Sequence, residues 1–377
     1  MFFLISLCLL SYGCNVAAGD LAEKLLPKPY KMTEVNINDS VKKTRNIKSM
    51  EKYKSEMILE EDIPKYIASI TQKLAQSPSI LETPMLVGSY DTPGVSINVK
   101  ILGNFAYVAD EISGLQIIDI SNPSSPVLKG NYDTSGFVLD VEVVGNLAYV
   151  ADWNLGLQII DISNPSSPVL KGNYDTPNYA WGVKIVDNLA YVADGYSGLQ
   201  IIDISNPSSP VLKGSYDTPG FALDVEVVGN LAYVADEISG LQIINISNPS
   251  SPILKGSYRT PAEVRDVKIV GNLAYVADQL SGLQIIDISN SSSPVLKGSY
   301  DTPGLAFSVK VTGDLAYVAD SYSGLQIIDI SNPSLPVLKK KYSTFGRAWG
   351  VEVIGNLAYI ADEGSGLQIV YDGMALK

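Results

Sequence analysis

No histidine occurs anywhere in the 377 residues, which removes at once the commonest general base and the commonest metal ligand. Cysteine is nearly absent too. The two present, Cys8 and Cys14, both lie in the opening stretch MFFLISLCLLSYGCNVAAGD, so neither a disulfide framework nor a cysteine metal cluster can form in the body of the protein. Positive charge runs short in that body: residues 84–377 carry 16 Lys/Arg against 30 Asp/Glu, whereas residues 1–83 are balanced at 11 against 10. Such an acidic surface repels phosphate backbones and argues against nucleic acid as a partner, while cationic ligands and extracellular life stay compatible with it. The motifs of common enzyme chemistry are missing as well. There is no P-loop, dinucleotide fingerprint or Gly-x-Ser-x-Gly elbow, and the abundant serines sit in repeated turns with no histidine beside them. The expectation is a protein without cofactor or metal that is not an enzyme.

Long apolar runs are also lacking. The longest near the start, Phe2 to Leu10, is too short to span a bilayer but suits the core of a secretory signal over residues 1–18. Two fates follow. Val16, Ala17 and Ala18 fit ordinary cleavage, whereas LLSYGC resembles a lipobox that would make Cys14 a lipidated first residue, with Ser11 and Tyr12 departing from that pattern. Either fate places the protein outside the cytoplasm, secreted, periplasmic or at the cell surface, touching membrane only through a lipid anchor. Residues 19–83 then read as a polar linker followed by one amphipathic helix, with Ile63, Ile67, Ile70 and Leu74 at helical spacing and Pro64 in its first turn. Its apolar stripe would cover either the folded body or a partner.

From Pro84 onward the chain is periodic. Ala-Tyr-(Val/Ile)-Ala-Asp begins at Ala106, Ala148, Ala190, Ala232, Ala274, Ala316 and Ala358, a constant step of 42. A period in this range marks solenoids and propellers. Each unit reads as four short β segments broken by Gly-Asn, by a variable turn, and by Ser-Asn-Pro-Ser, all signals that end or reverse a strand. Four antiparallel strands per unit make a propeller blade, and runs such as LQIID that are apolar at consecutive positions fit a sheet covered on both faces. The last unit stops after its third strand, near Tyr371, while PMLVGSYDT at Pro84–Thr92 matches a fourth strand standing before the first complete unit. The expected fold is therefore all-β, a seven-bladed propeller over residues 84–377 closed by strand 85–90.

These residues carry a resemblance. LAYVAD followed by GLQIIDISNPSSPVL is similar to the LVIVD repeat, found in exported and cell-surface proteins of bacteria and archaea. The resemblance covers residues 84–372 and implies a β-propeller at the surface; it brings no catalytic residue with it.

Sorting the connections by face separates constant from variable letters. The turns after strands one and three, on one face, are nearly identical in every unit. On the other face lie the turn after strand two, such as Glu111-Ile112-Ser113 or Trp153-Asn154-Leu155, and the link into the next blade, such as NYAWG at Asn178 or GRAWG at Gly346. Trp153, Trp181 and Trp349, the three tryptophans of the chain, fall there, with Tyr179, Tyr196 and Tyr322. Exposed turns that drift freely should gain small polar residues, not large aromatics. The variable face is thus the expected binding surface for a protein or glycan at the cell envelope, with Arg265 and Arg347 setting polarity. Plugging of the central channel is the competing explanation, stronger for Phe137, Phe221 and Phe307 than for Trp153 and Tyr196. Carboxylate chemistry on glycans and a purely structural envelope role are the alternative functions.

Two sets of aspartates read as structural. Those closing the Ala-Tyr-Val-Ala-Asp motif, Asp110 through Asp362, should accept backbone N–H bonds, and Asp119 with its equivalents should cap the Ser-Asn-Pro turn. The charged letter of strand one, Lys100, Glu142, Lys184, Glu226, Lys268, Lys310 and Glu352, alternates in sign for six of the seven neighbouring pairs around a closed ring. Ion pairing between blades is the expected result.

Overall fold

The computed structural model describes residues 83–374. The export signal of residues 1–18, Cys14, and the helical stretch from Ile63 to Leu74 lie outside the described residues. Within them the chain forms seven four-stranded antiparallel sheets. The first blade is typical: β2 (Asn98–Leu102), β3 (Phe105–Ala109), β4 (Leu115–Asp119) and β5 (Val127–Tyr132) follow each other as a meander. Equivalents of β2 form the innermost strand of every blade, namely β6 (Val138–Val144), β10 (Gly182–Val186), β14 (Asp224–Val228), β18 (Asp266–Val270), β22 (Ser308–Thr312) and β26 (Ala348–Ile354).

The seventh blade is composite. Its strands β26, β27 (Leu357–Asp362) and β28 (Gly366–Tyr371) take their outer partner from the other end, β1 (Met85–Tyr90), with Met85 opposite Tyr371 and Tyr90 opposite Leu367. The ring is therefore closed as expected, and a solenoid is excluded. In the second blade β6 starts as early as Val138, because Val138 bonds to Glu111 of the preceding blade and pairs with Asp152.

Apolar cores lie between blades. One cluster joins Tyr107, Leu115 and Ile117 of the first blade to Val141, Val150 and Ile160 of the second. Another joins Tyr359, Leu367 and Ile369 of the seventh to Val99, Val108 and Ile118 of the first, sealing the ring. This is why Leu-Gln-Ile-Ile is apolar without alternation: neighbours bury both faces of the third strand, and replacing a residue such as Ile201 by Ala should cost about 2–5 kcal/mol.

One break in the repeat has a steric cause. The outer strands carry a glycine, such as Gly130, where a Cβ would come within 2.2 Å of the Pro165 carbonyl oxygen in the next blade's Asn-Pro-Ser turn. The sixth blade has Lys340 there, facing Ile327 as Gly130 faces Ile117. Its neighbour, the seventh blade, has no such turn, and Lys340 Nζ instead donates to the Gly373 carbonyl at 2.6 Å.

Candidate functional site

The two kinds of face exist as the repeat implied. The turn after strand two is stitched to the link entering the next blade by isolated β-bridges, Glu111 to Val138, Trp153 to Ala180, Gly195 to Ala222 and their equivalents. Two invariant side chains hold it from beneath. The motif aspartate is wholly buried in every blade. Thr92 Oγ1 at 2.6 Å and Gly94 N at 2.8 Å donate to Asp110, and Asp236, Asp278 and Asp320 keep the same pair of donors. Asp194 and Asp362 keep the link N–H without the threonine, and Asp152 departs from the expected bond, both its oxygens being buried without a partner. The glutamine of Leu-Gln-Ile-Ile donates back into the turn, as Gln116 Nε2 does to the Ser113 carbonyl at 2.6 Å. Burial raises the pKa of each of these aspartates, that of Asp194 to about 6. The variable letters thus stand on pinned stems, a form of preorganisation.

The first of those letters is conformationally odd. Glu111, Trp153, Glu237, Gln279 and Ser321 all have positive φ, between 25° and 51°. Only Gly195 places there the residue that the left-handed region favours. Side chains at these positions are held against a backbone cost of order 1 kcal/mol apiece.

The candidate residues divide into a rim and a channel. On the rim, Trp153 stacks on Tyr179 with centroids 4.6 Å apart and takes the edge of Phe137 at 5.2 Å. Tyr196 meets Phe221 edge-on at 4.7 Å, and the Arg347 guanidinium lies 4.7 Å over the Tyr322 ring while pairing with Glu363. Trp181, Arg265 and Trp349 instead line the central channel, together with Phe307. The channel explanation therefore applies to two of the three tryptophans, and not to Phe137 or Phe221. The reason is the buried small residue in mid-link: Ala180 bonds back to Trp153, leaving Tyr179 on the rim and sending Trp181 to the start of the innermost strand.

Reading the sequence for aromatics alone missed the aliphatic tips. The middle letter of the variable turn is Ile112, Tyr196, Ile238, Leu280 or Tyr322 in five blades, each exposed, with Leu280 at 73% and both tyrosines at 70%. Their position in the repeat, one letter past the left-handed residue, was the available signal. Acidic side chains surround them: Asp91, Asp133, Asp175, Asp217 and Asp301 are exposed at the ends of the outer strands, on the links of the same face.

In the channel, three of the six expected ion pairs form directly, Lys100–Glu142 at 2.8 Å, Lys184–Glu226 at 3.1 Å and Lys310–Glu352 at 2.6 Å. Lys268, expected to lack an opposite neighbour on one side, is captured by Asp224 at 3.3 Å and Asp266 at 2.7 Å. Those two carboxylates raise its pKa against the opposing effect of burial. Asp224, Asp266 and Asp140 also accept the backbone N–H of the next blade, from Val267, Val309 and Val183. They join blades. On the opposite face Asp119 accepts from Ser121 N at 3.0 Å, and Asn245 accepts from Ser247 N at 2.9 Å in the same way. The capping reading holds. Among the described residues no group of three or more Cys, Asp or Glu is placed to hold a metal ion.

The family model described as LVIVD repeat matches residues 93–134, 135–176, 177–218, 219–260, 261–302, 303–344 and 345–370. No curated protein matches the chain. Among solved structures, a chain of a mitotic checkpoint complex is similar with a TM-score of 0.63 at 13% identity, covering 77% of this chain and 96% of that one. The WD40 domain of Neurospora crassa Pan2 gives 0.62 at 11% identity, over 78% and 97%. The computationally designed Ika8 protein gives 0.59 at 7% identity, over 76% and 99%. Likeness at these identities shows the fold alone.

Proposed function

The chain belongs to the LVIVD repeat family, and from that premise we propose that its propeller is a non-catalytic binding module that docks a protein partner on the variable face. The observation that carries this is the crown of exposed apolar tips, Ile112, Tyr196, Ile238, Leu280 and Tyr322, set on rigid turns inside a rim of acidic side chains. Apolar groups of this size are costly to leave in water and act as anchors when a partner covers them. The acidic rim selects for a partner surface that is basic as well as apolar. Left-handed backbone at Glu111, Trp153, Glu237 and Gln279 supports the same reading, since glycine would relieve it wherever the side chain had no use. A glycan is less well served: Trp153 and Trp349 each have a ring face already covered, by Tyr179 and Phe307. The apolar run Phe2–Leu10 supports a site of action outside the cytoplasm.

The test uses the full chain, immobilised, with two synthetic peptides, one alternating Lys and Leu and one alternating Glu and Leu. The basic peptide should bind, and changing Tyr196, Leu280 and Tyr322 together to Ser should weaken it about ten-fold or more at unchanged Tm. Equal capture by the triple variant, or preference for the acidic peptide, would refute the proposal.

A further inference from the structure

The inner strands enclose a cavity of about 170 Å³ running from the variable face into the channel. That is close to the roughly 150 Å³ that accommodates a benzene-sized ligand. Its deeper wall is chemically saturated. Lys100, Lys184 and Lys310 are matched by Glu142, Glu226 and Glu352, and Lys268 by Asp224 and Asp266. Asp140 takes Asn98 Nδ2 and the N–H groups of Val141 and Val183.

The mouth is different. Trp181 Nε1 and Arg265 Nε are buried donors with no acceptor among the described residues, an arrangement that costs about 1–3 kcal/mol for each group. Both residues line the same cavity. Arg265 is also short of negative charge: its ion-pair partner Glu263 stands 3.4 Å from Nη2 and is itself 42% exposed, so the pair is weak. Burial accordingly pushes the Arg265 pKa down, with Glu263 and Glu237 only partly opposing it. Beside Arg265 is a flat apolar wall, Phe307 lying on Trp349 at 4.1 Å and 6°, with the guanidinium 6.0 Å from the Phe307 ring centroid; Trp181, on the same cavity, takes Phe221 edge to face at 5.9 Å. Every unmet valence at the mouth is a donor, and one belongs to an under-neutralised cation.

We infer that the channel mouth binds a small carboxylic acid with a flat apolar body, its carboxylate accepting from Arg265 and Trp181 and its body lying against Phe307 and Trp349. Trp181 and Arg265 are only half-buried as residues, so a change of side-chain rotamer presents the two donors to the ligand. The site is separate from the exposed crown and does not depend on a protein partner.

Tryptophan fluorescence reads it directly, because Trp181 and Trp349 line the cavity and Trp153 does not. In the full chain carrying Trp153→Phe, benzoate should change the emission saturably, with a dissociation constant on the order of 1 mM for a ligand of this size. Benzylamine, of the same shape and opposite charge, should not. Arg265→Gln should weaken benzoate about ten-fold or more, the loss of a charge-assisted hydrogen bond. Trp181→Phe, which keeps an aromatic ring and deletes the N–H, should weaken it several-fold and decides the matter if the Arg265 variant does not fold. A merely solvent-filled channel would show no saturation, and that result, equal binding of benzylamine, or indifference to both substitutions would overturn the inference.

Discussion

Substituting alanine for glycine should have opposite signs at two equivalent positions of this ring. At Gly130 the added Cβ would lie 2.2 Å from the Pro165 carbonyl oxygen and 3.1 Å from Ser166 Cα, about 1 Å inside ordinary contact. The obstructing turn cannot easily give way, since Ser167 N bonds the Asn164 carbonyl at 2.9 Å and Ser166 N bonds its side chain at 3.3 Å. Overpacking of this kind costs about 1–3 kcal/mol. The stiffer unfolded chain returns about 0.4–1 kcal/mol. Gly130→Ala should therefore destabilise by up to about 2.5 kcal/mol, about 1.3 kcal/mol at mid-range, lowering Tm by roughly 2 °C for a domain of this size. Position 340 already carries a Cβ, facing a blade without the turn. There the comparison is Lys340→Gly against Lys340→Ala, two variants that both lose the bond to Gly373, and alanine should be the more stable by about 0.4–1 kcal/mol. Urea unfolding of the four proteins measures both differences. Two shifts of the same sign would refute the steric account of why one blade departs from glycine.

Two further expectations concern carboxylates. Asp194, with its pKa raised to about 6 by burial, holds its proton more tightly folded than unfolded. Its contribution to stability is therefore full below about pH 4 and lost as pH rises through 6. Asp194→Asn should gain on the wild type between pH 4.5 and 7 by at most about 2 kcal/mol, allowing for solvent screening; a gap constant with pH in urea melts would contradict this. Asp119→Asn should leave Tm unchanged, because Asn245 caps the same turn in the fourth blade, whereas Asp119→Ala should lower it. Equal melting of the two variants would show that the cap contributes nothing.

Fold and site were not equally legible. A 42-residue period without insertion, turn chemistry at fixed offsets and the stray fourth strand at Met85 each followed from short-range sequence rules, and together they determined blade number and closure. Three-dimensional placement of the variable letters did not follow. Tyr179 and Trp181 stand two apart, which in a regular strand would put them on one face; the link is irregular, and the buried Ala180 between them divides rim from channel. Lys268 shows a second limit. Alternation of sign around an odd-numbered ring must fail at least once, and only the folded structure shows that Lys268, one member of the like-charged pair, is met by Asp224 of the preceding blade and Asp266 of its own strand. The aliphatic crown was overlooked for a simpler reason, since isolated Ile and Leu on a surface are ordinary until their equivalent positions are seen side by side.

Closure through β1 and β28 has a consequence for the order of assembly. Six of the interfaces between neighbours can form as the chain grows, each shortly after its second member is complete. The seventh needs residue 85 to find residue 371, a separation that makes it the slowest contact to establish. Until then two apolar sheet surfaces and two unpaired strand edges stay open at the ends of an arc, and either could be satisfied by the arc of another molecule. At high concentration refolding should then compete with exchange of β1 between chains, yielding linked rings in place of single ones.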